Sequence, residues 1–154
     1  MDKRTETILN SIDCAVYQYR GVYADWSRRY GIGYNEMLVL YTIREYGYCT
    51  QKQVCDRYLV PRQTINNVIS RLIAEGLLIH KTSHNTGREK IFVLTEKGTS
   101  YFSEFMTSMN TVEEQAVALM GNENMQLMTQ LLMQYNLLLK KSIVQYIKEK
   151  TYDK

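Results

Sequence analysis

Residues 50–76, TQKQVCDRYLVPRQTINNVISRLIAEG, decide the fold of this chain. Their pattern predicts two short helices joined by a turn at residues 58–60, a helix-turn-helix. The second helix is predicted over residues 61–75, because its apolar residues recur at the spacing of a helix buried on one side. These apolar residues are Ile65, Val68, Ile69, Leu72 and Ile73.

Signals for the start and end of each helix support this division. Thr50 and Gln53 have the spacing of a capping box, in which each side chain bonds a backbone amide of the first turn. Pro61, the only proline of the chain, stands where the second helix should begin and where a missing backbone donor does no harm. Gly76 follows the last apolar residue and is predicted to end the helix.

The other face of the second helix is polar and carries no acid before Glu75. Asn and Gln side chains match the hydrogen-bonding edge of adenine, Arg matches guanine, and the methyl of Thr matches that of thymine. An ordinary amphipathic surface helix is the alternative, but such faces usually carry Glu and Lys pairs. The face therefore predicts DNA reading, with Gln63 and Asn67 at base edges and Arg71 at phosphate. Its members are Arg62, Gln63, Thr64, Asn66, Asn67, Ser70 and Arg71.

Charge is concentrated around this unit. Residues 51–98 hold eight Lys or Arg against four Asp or Glu, whereas the whole chain of 154 residues has a net charge of +3. Phosphate contacts require such an excess of positive charge. The N-terminus lacks the apolar segment of a signal peptide, and the most apolar tract, residues 127–139, is shorter than a bilayer span. We therefore expect a cytoplasmic protein with no membrane association.

The remaining elements follow from changes in periodicity. Helices are predicted over residues 5–30 and 34–46, and strands over 77–82 and 90–94, with a polar turn between the strands. A basic hairpin after a helix-turn-helix makes a winged helix, whose wing spans residues 77–94 and carries Arg88 and Lys90, with His84 nearby. We expect these cations to reach an adjacent minor groove or the DNA backbone.

Two further helices are predicted. One begins at Thr95, its N-cap, and runs to about Met120, and the other runs from about Glu123 to Lys150. The last helix is apolar over an arc too wide for one small domain to cover, so we interpret it, with the first helix, as a dimerisation arm. The predicted fold is mainly α (α+β): a winged helix-turn-helix over residues 34–95, and a helical dimerisation region over residues 1–33 and 96–154.

The chain resembles the MarR (multiple antibiotic resistance regulator) family of winged helix-turn-helix transcription factors. The segments TQKQVCDRYL, RLIAEGLL and VLTEKG carry the resemblance. The resemblance implies a homodimer that binds near-palindromic double-stranded DNA as a repressor. It also implies that a ligand or an oxidant releases the protein from the DNA. The family usually has Asp-x-Arg in its wing, where this chain has Thr86-Gly87-Arg88. The predicted DNA contacts are Thr50, Gln51, Arg62, Gln63, Thr64, Asn66, Asn67, Arg71, Arg88 and Lys90.

Other chemistry is less well supported by the residues. Cys14 lies where oxidant sensors of the family place a thiol, but its neighbours supply no positive charge, so a buried, inert Cys14 is expected over a redox sensor. Cys49 and Cys55 are expected to pack beneath the helix-turn-helix. His80 and His84 fall on a strand and its turn, roughly 13 Å apart at the strand rise, so no metal site is predicted.

Tyr17, Trp26, Tyr30 and Tyr34 are candidates for a pocket that admits a small aromatic or phenolic ligand. Packing in the core or at an interface is the alternative for each of them. No nucleophile and base arrangement, phosphate loop or carboxylate pair appears, so neither enzyme activity nor a cofactor is expected. A winged-helix module that binds protein instead of DNA remains the alternative from another functional class.

Overall fold

The structure, a computed structural model, describes residues 1–81 and 90–152. Within these ranges the chain is mainly α-helical, with a small antiparallel sheet, and the predicted winged helix-turn-helix is confirmed. The helices are α1 (Lys3–Arg29), α2 (Tyr34–Tyr46), α3 (Gln51–Tyr58), α4 (Arg62–Ala74), α5 (Glu96–Met120) and α6 (Asn122–Tyr152), and the strands are β1 (Cys49–Thr50), β2 (Leu78–Lys81) and β3 (Ile91–Leu94).

The helix-turn-helix forms because its local signals operate as predicted. The Thr50 hydroxyl accepts the Gln53 amide at 3.0 Å, and the Thr50 amide donates to the Gln53 side chain at 3.2 Å, which completes the capping box of α3. Leu59 ends α3 in the left-handed conformation, with φ 52°. Pro61 caps α4 and precedes its first residue.

The C-terminal end of α4 is closed by Gly76. Its φ of 71° lies in the left-handed region that glycine adopts without steric cost. The Gly76 amide donates to the carbonyl of Ile73 at 2.9 Å, and the Leu77 amide donates to that of Leu72 at 2.8 Å. These two bonds form a Schellman motif, which turns the chain sharply from α4 towards β2.

The sheet has strand order β1-β3-β2, with both pairs antiparallel. Cys49 pairs with Phe92, and Leu78 pairs with Leu94, so the base of the wing is joined to the strand that leads into α3. Because both ends of the helix-turn-helix enter one sheet, the sheet fixes α3 and α4 together.

The core of this unit lies between α2, α3, α4 and the sheet. Ile65 and Leu72 of α4 are fully buried, and Ile69 is 4% exposed. The predicted apolar face is wider than the face that is buried, since Val68 is half-buried and Ile73 is 40% exposed. At 100° per residue, Val68 and Ile73 lie on the two flanks of the buried stripe, so packing does not reach them fully.

The chain divides into two compact units, Met1–Met106 and Thr107–Lys154. The division falls within α5, and α1 lies in the same unit as the winged helix, whereas the sequence groups α1 with α6. The second unit holds the last part of α5 and the whole of α6, which meet at Gly121 with φ 83°. Participation of α1 in a dimerisation region stays a prediction.

Both terminal helices expose apolar side chains. Within α1, Ser27 is the buried residue, while Ile8 and Val22 are 51% and 68% exposed. On α6, Leu131, Leu139 and Ile147 are 55%, 44% and 57% exposed. No helix in the described ranges has the length and apolar content needed to cross a membrane.

Gly98, near the start of α5, lies so close to the backbone of Leu77 that the position has no room for a side chain. A Cβ atom at this position would lie 2.0 Å from the backbone oxygen of Leu77. We predict that Gly98→Ala lowers the free energy of unfolding by about 1–3 kcal/mol, because backbone must shift to relieve the overlap. Chemical denaturation measures this change.

Gly21→Ala is the matched control, since nothing lies within 4 Å of the added Cβ. In the interior of α1 it should stabilise the protein by about 0.5–1 kcal/mol. A Gly98→Ala variant as stable as the wild type would contradict the close packing of α5 against the end of α4.

Candidate nucleic-acid interface

The polar face of α4 is presented to solvent because the opposite face is anchored in the core. Gln63 and Asn67 lie roughly 160° and 200° around the helix from the buried Ile65, at 100° per residue. Both side chains are exposed, as are Arg62, Asn66 and Ser70. Thr64 is half-buried. The predicted base-contacting residues therefore point directly away from the core.

Gln63 and Asn67 form a linked pair. The Gln63 Nε2 donates to Asn67 Oδ1 at 2.8 Å, one turn along the helix. Gln63 keeps its carbonyl oxygen as an acceptor, and Asn67 keeps its amide group as a donor. An adenine offers one donor and one acceptor in the major groove, so the pair presents matching groups on a short, pre-ordered surface.

Gln51 joins the start of α3 to the start of α4. Its Nε2 donates to the backbone oxygen of Arg62 at 3.0 Å, and its Oε1 accepts from Arg62 Nε at 3.2 Å. The terminal nitrogens of Arg62 are not used in this contact. The first turns of the two helices are thus held together, with a guanidinium at their junction.

Thr50 and Arg71, which are also predicted DNA contacts, are bound to other parts of the protein. Thr50 is 4% exposed, and its hydroxyl and amide are both used in the capping box. Arg71 donates through Nη1 to both carboxylate oxygens of Glu75, at 3.1 and 3.2 Å, and through Nη2 to Glu36. Contacts of Thr50 and Arg71 with DNA stay predictions.

Glu36 is a residue of this site that the sequence analysis does not predict. It is the third residue of α2, its side chain is 4% exposed, and it accepts the Gly33 amide at 3.3 Å. Burial would lower the pKa of Arg71, but the hydrogen bonds and charges of Glu36 and Glu75 raise it. The spacing Gly33-x-x-Glu36 indicates the cap, whereas nothing local indicates a partner 35 residues away.

A groove of about 850 Å³ runs between α3, α4 and the base of the wing. Cationic side chains from α3, from α4 and from the base of the wing line it, namely Lys52, Arg62 and Lys90. Asp56 also lines the groove and pairs with Lys52 at 2.6 Å. The concave, net positive surface beside α4 suits a phosphate backbone.

The wing is described only at its base. Lys90 precedes β3 and is exposed. Arg88, Thr86 and His84 lie outside the described residues. Their predicted placement is therefore not addressed by the structure.

The three cysteines differ in environment. The expectation that Cys14 is buried is wrong: its thiol is exposed, because this face of α1 is uncovered. Cys49 is fully buried, and burial raises the pKa of its thiol to about 12. Cys55 is half-buried and lines the groove, and burial together with the charge of Asp56 raises its pKa.

The four predicted pocket aromatics do not form one group. The rings of Trp26 and Tyr30 lie 5.8 Å apart, and that of Tyr30 lies 5.5 Å from Phe105. Tyr34 stacks beneath Arg20 at 5.4 Å, and Tyr17 is 71% exposed. A depression of about 320 Å³ borders Tyr30, and the buried indole Nε1 of Trp26 has no hydrogen-bond partner among the described residues.

Metal ligation has no support in the described part of the chain. His80 is exposed on β2, with its ring 6.0 Å from that of Phe92. Residues 1–81 and 90–152 contain no group of three or more His, Cys, Asp or Glu side chains arranged to hold a metal ion.

Known proteins share this arrangement. Residues 30–89, from the turn before α2 into the wing, match the model of the MarR family. This match confirms the family resemblance carried by the sequence motifs. No curated protein matches the chain.

Several solved structures, two of them named as MarR proteins, share the fold over most of their length. The MarR family regulator NMB1585 of Neisseria meningitidis has a TM-score of 0.79 at 23% identity, covering 89% of this chain and 96% of that chain. MarR of Staphylococcus aureus has a TM-score of 0.66 at 20% identity, and the match covers 91% of this chain and 95% of that chain. BpsR of Bordetella bronchiseptica has a TM-score of 0.64 at 17% identity, and the match covers 84% of this chain and 98% of that chain. At these sequence identities, the structural similarity is evidence for the fold alone.

The thiol environments predict an order of reactivity. A thiol with a pKa of about 12 remains protonated at pH 8 and at pH 10, and only the thiolate reacts with an alkylating agent. Cys49 should therefore stay unmodified by iodoacetamide in folded protein at both pH values, and should react in urea. Mass spectrometry of the digested protein measures the modification, and Cys14 is the exposed reference thiol. Equal labelling of Cys49 and Cys14 in folded protein would refute the buried environment.

Proposed function

We propose, from the premise that residues 30–89 carry the winged helix-turn-helix of the MarR family, that this protein is a homodimeric, sequence-specific DNA-binding transcriptional repressor. The observation that carries the proposal is the recognition helix α4, whose face opposite the core is polar, exposed and free of acids before Glu75. Such a helix can enter a major groove without bringing a carboxylate towards the phosphates.

The contacts of α4 divide by position along the helix. In a helix-turn-helix the N-terminal part of the recognition helix meets base edges. We assign base reading to the Gln63–Asn67 pair, with Thr64 and Asn66 beside it. Arg62, held by Gln51 at the junction of α3 and α4, meets a phosphate or a guanine.

The wing and the groove supply contacts that do not depend on sequence. Lys90 is exposed at the base of the wing, on the groove that α4 borders. Arg88, two residues earlier, is proposed to contact the minor groove or the backbone. Because Thr86 cannot form the ion pair that the family's usual Asp gives, Arg88 is proposed to meet DNA without that side-chain partner.

A second copy of this chain is proposed to cover α6. Apolar residues are exposed on successive turns of this helix, among them Met128, Leu132 and Leu139 at 40%, 39% and 44%. An uncovered apolar surface of this length is costly in water, and a two-fold dimer covers equivalent surfaces at once. Two recognition helices related by a two-fold axis read a near-palindromic operator.

The dimer gives a direct prediction. Sedimentation at micromolar concentration should show about twice the chain mass of 18.1 kDa. Leu139→Glu should shift the population towards monomer, because a charge would be buried in the interface. Gln130→Glu is the control, since residue 130 lies roughly 180° around α6 from residue 139 and should leave the dimer intact. A folded wild-type monomer under these conditions would overturn the proposal.

Reading by the Gln63–Asn67 pair is tested on DNA from upstream of the gene. Gln63→Ala and Asn67→Ala should each cost about 1–3 kcal/mol on the best site and relax base preference there. Since the two side chains are hydrogen bonded, the double variant should cost less than the sum of the two. Gel-shift titrations on operator and random DNA measure these changes.

Ser103→Ala, at an exposed position of α5, is the control and should bind as the wild type does. If both α4 variants weaken operator and random DNA equally, the base-reading assignment fails. If the wild type binds no DNA, the alternative of a protein-interaction module takes its place.

A small aromatic acid is proposed as the signal that releases DNA. The structural neighbours include MarR of Staphylococcus aureus in complex with salicylate and kanamycin, and BpsR, whose DNA binding is regulated by 6-hydroxynicotinic acid. In this chain, the buried indole nitrogen of Trp26 has no hydrogen-bond partner within the described residues, and Arg29 lines the depression beside Tyr30. Glu104 also lines the depression and Trp26 lies outside its lining, so the carboxylate of the ligand is proposed to meet Arg29 and its ring to meet Tyr30.

Trp26 is the only tryptophan, so its fluorescence reports binding near it. Titration with salicylate should give a saturable change in emission and should release bound DNA. Tyr30→Leu should weaken both effects, whereas Tyr46→Leu, at the end of α2, should alter neither. An emission that stays constant to millimolar salicylate would exclude this ligand. An oxidant acting on the exposed Cys14 would then be the next signal to test.

A further inference from the structure

The C-terminal turn of α4 is fastened to two other helices. From α2, the buried Glu36 accepts a hydrogen bond from Arg71. From the start of α5, Lys97 Nζ donates to the backbone oxygen of Glu75 at 2.7 Å, and the Thr95 hydroxyl donates to that of Gly76 at 2.7 Å. The N-terminal turns of α4, which hold the base-reading pair, have the smaller contact with Gln51.

The C-terminal end of α4 has more polar contacts than its N-terminal end, so a change of tilt there would displace the base-reading turns. The 13 residues of α4 span roughly 18 Å between their first and last Cα atoms at the α-helical rise. A tilt of about 5° at the fastened end would therefore move the first turn by about 1.5 Å, which exceeds the tolerance of a hydrogen bond. A contact that fixes this tilt would therefore affect base reading without touching DNA.

Arg71 is poorly placed to bind phosphate. Its guanidinium meets the carboxylates of Glu36 and Glu75, so the three side chains together carry a net negative charge. Glu36 is nearly inaccessible, and a buried carboxylate without its cation is strongly destabilised. The pair with Glu36 should therefore persist when DNA is bound.

We propose that Glu36 is a positioning residue of the recognition helix. Through Arg71 it holds the C-terminal turn of α4, and through the Gly33 amide it holds the turn that joins α1 to α2. It thereby sets the angle at which Gln63 and Asn67 meet base edges, and it keeps Arg71 from contacting phosphate. This inference rests on the proposed DNA-binding function and replaces the phosphate role that the sequence suggests for Arg71.

Binding of operator and random DNA by the full-length protein tests the proposal. Glu36→Gln keeps the size and the acceptor for Gly33 but removes the charge that holds Arg71. Glu36→Gln and Arg71→Ala should each lower the ratio of operator to random affinity at least tenfold. The double variant should lose no more than either single variant, because both break one contact. In Arg71→Ala the dependence of affinity on salt should not change, because in this account Arg71 makes no phosphate contact.

Glu75→Gln is the matched control, since it removes the exposed partner of Arg71 and leaves Glu36 in place. Its affinity ratio should stay within about twofold of the wild type, because exposed ion pairs contribute little. If Glu36→Gln does not fold, Glu36→Asp shortens the carboxylate by one methylene, and the same ratio is measured.

A phosphate role for Arg71 predicts a different result. Arg71→Ala would then weaken operator and random DNA alike, the salt slope would fall by about one, and Glu36→Gln would bind normally. That result, or unchanged affinity ratios in both variants, overturns the proposal.

A measurement without DNA separates this inference from the proposed function. In the free protein, Glu36→Gln should speed amide hydrogen exchange across residues 71–77, whereas Glu75→Gln should not. Unchanged exchange in Glu36→Gln overturns the positioning role. If exchange is faster in Glu36→Gln but the wild-type protein binds no DNA, the proposed function is rejected and the contact of Glu36 with Arg71 is retained.

Discussion

Burial of Ile65, Ile69 and Leu72 holds α4 by one face, and the proposed site depends on this packing. A helix of 13 residues is marginal in isolation, so its apolar stripe must be covered for it to form. Because the packing uses only a narrow stripe, the opposite face remains in water. The same contacts that fold the unit thus direct Gln63 and Asn67 outward.

Hydrogen bonds then fix the orientation of α4, which apolar packing alone leaves adjustable. Apolar side chains can slide within a stripe, whereas hydrogen bonds specify direction. Gln51 aligns the first turn of α4 with α3, and Glu36, Thr95 and Lys97 fasten its last turn. The orientation of α4 is therefore determined at both ends, more strongly at the C-terminal end.

Features that depend on neighbouring residues could be predicted from the sequence. The capping box of Thr50 and Gln53, the stop at Gly76 and the cap at Thr95 each operate within a few residues, and the structure contains all three. The MarR family match confirms the winged helix-turn-helix that these signals predict. The change of periodicity after Gly76 likewise predicts β2 and β3, which the structure contains.

Features that depend on distant residues could not be predicted in this way. The contact of Glu36 with Arg71 joins residues 35 positions apart, and the close approach of Gly98 to Leu77 depends on how α5 begins beside β2. Exposure of Cys14 and Ile73 also depends on which elements pack nearby. Periodicity shows that a face is apolar, but it does not show how much of that face its neighbours cover.

The contact of α4 with bases is the central claim, and amide chemical shifts of the labelled dimer measured with and without operator DNA test it most directly. The largest shifts should fall on residues 62–67, with smaller shifts at Gln51 and Lys90, and the amides of α6 should not move. Saturable DNA binding that leaves residues 62–67 unshifted would contradict the account.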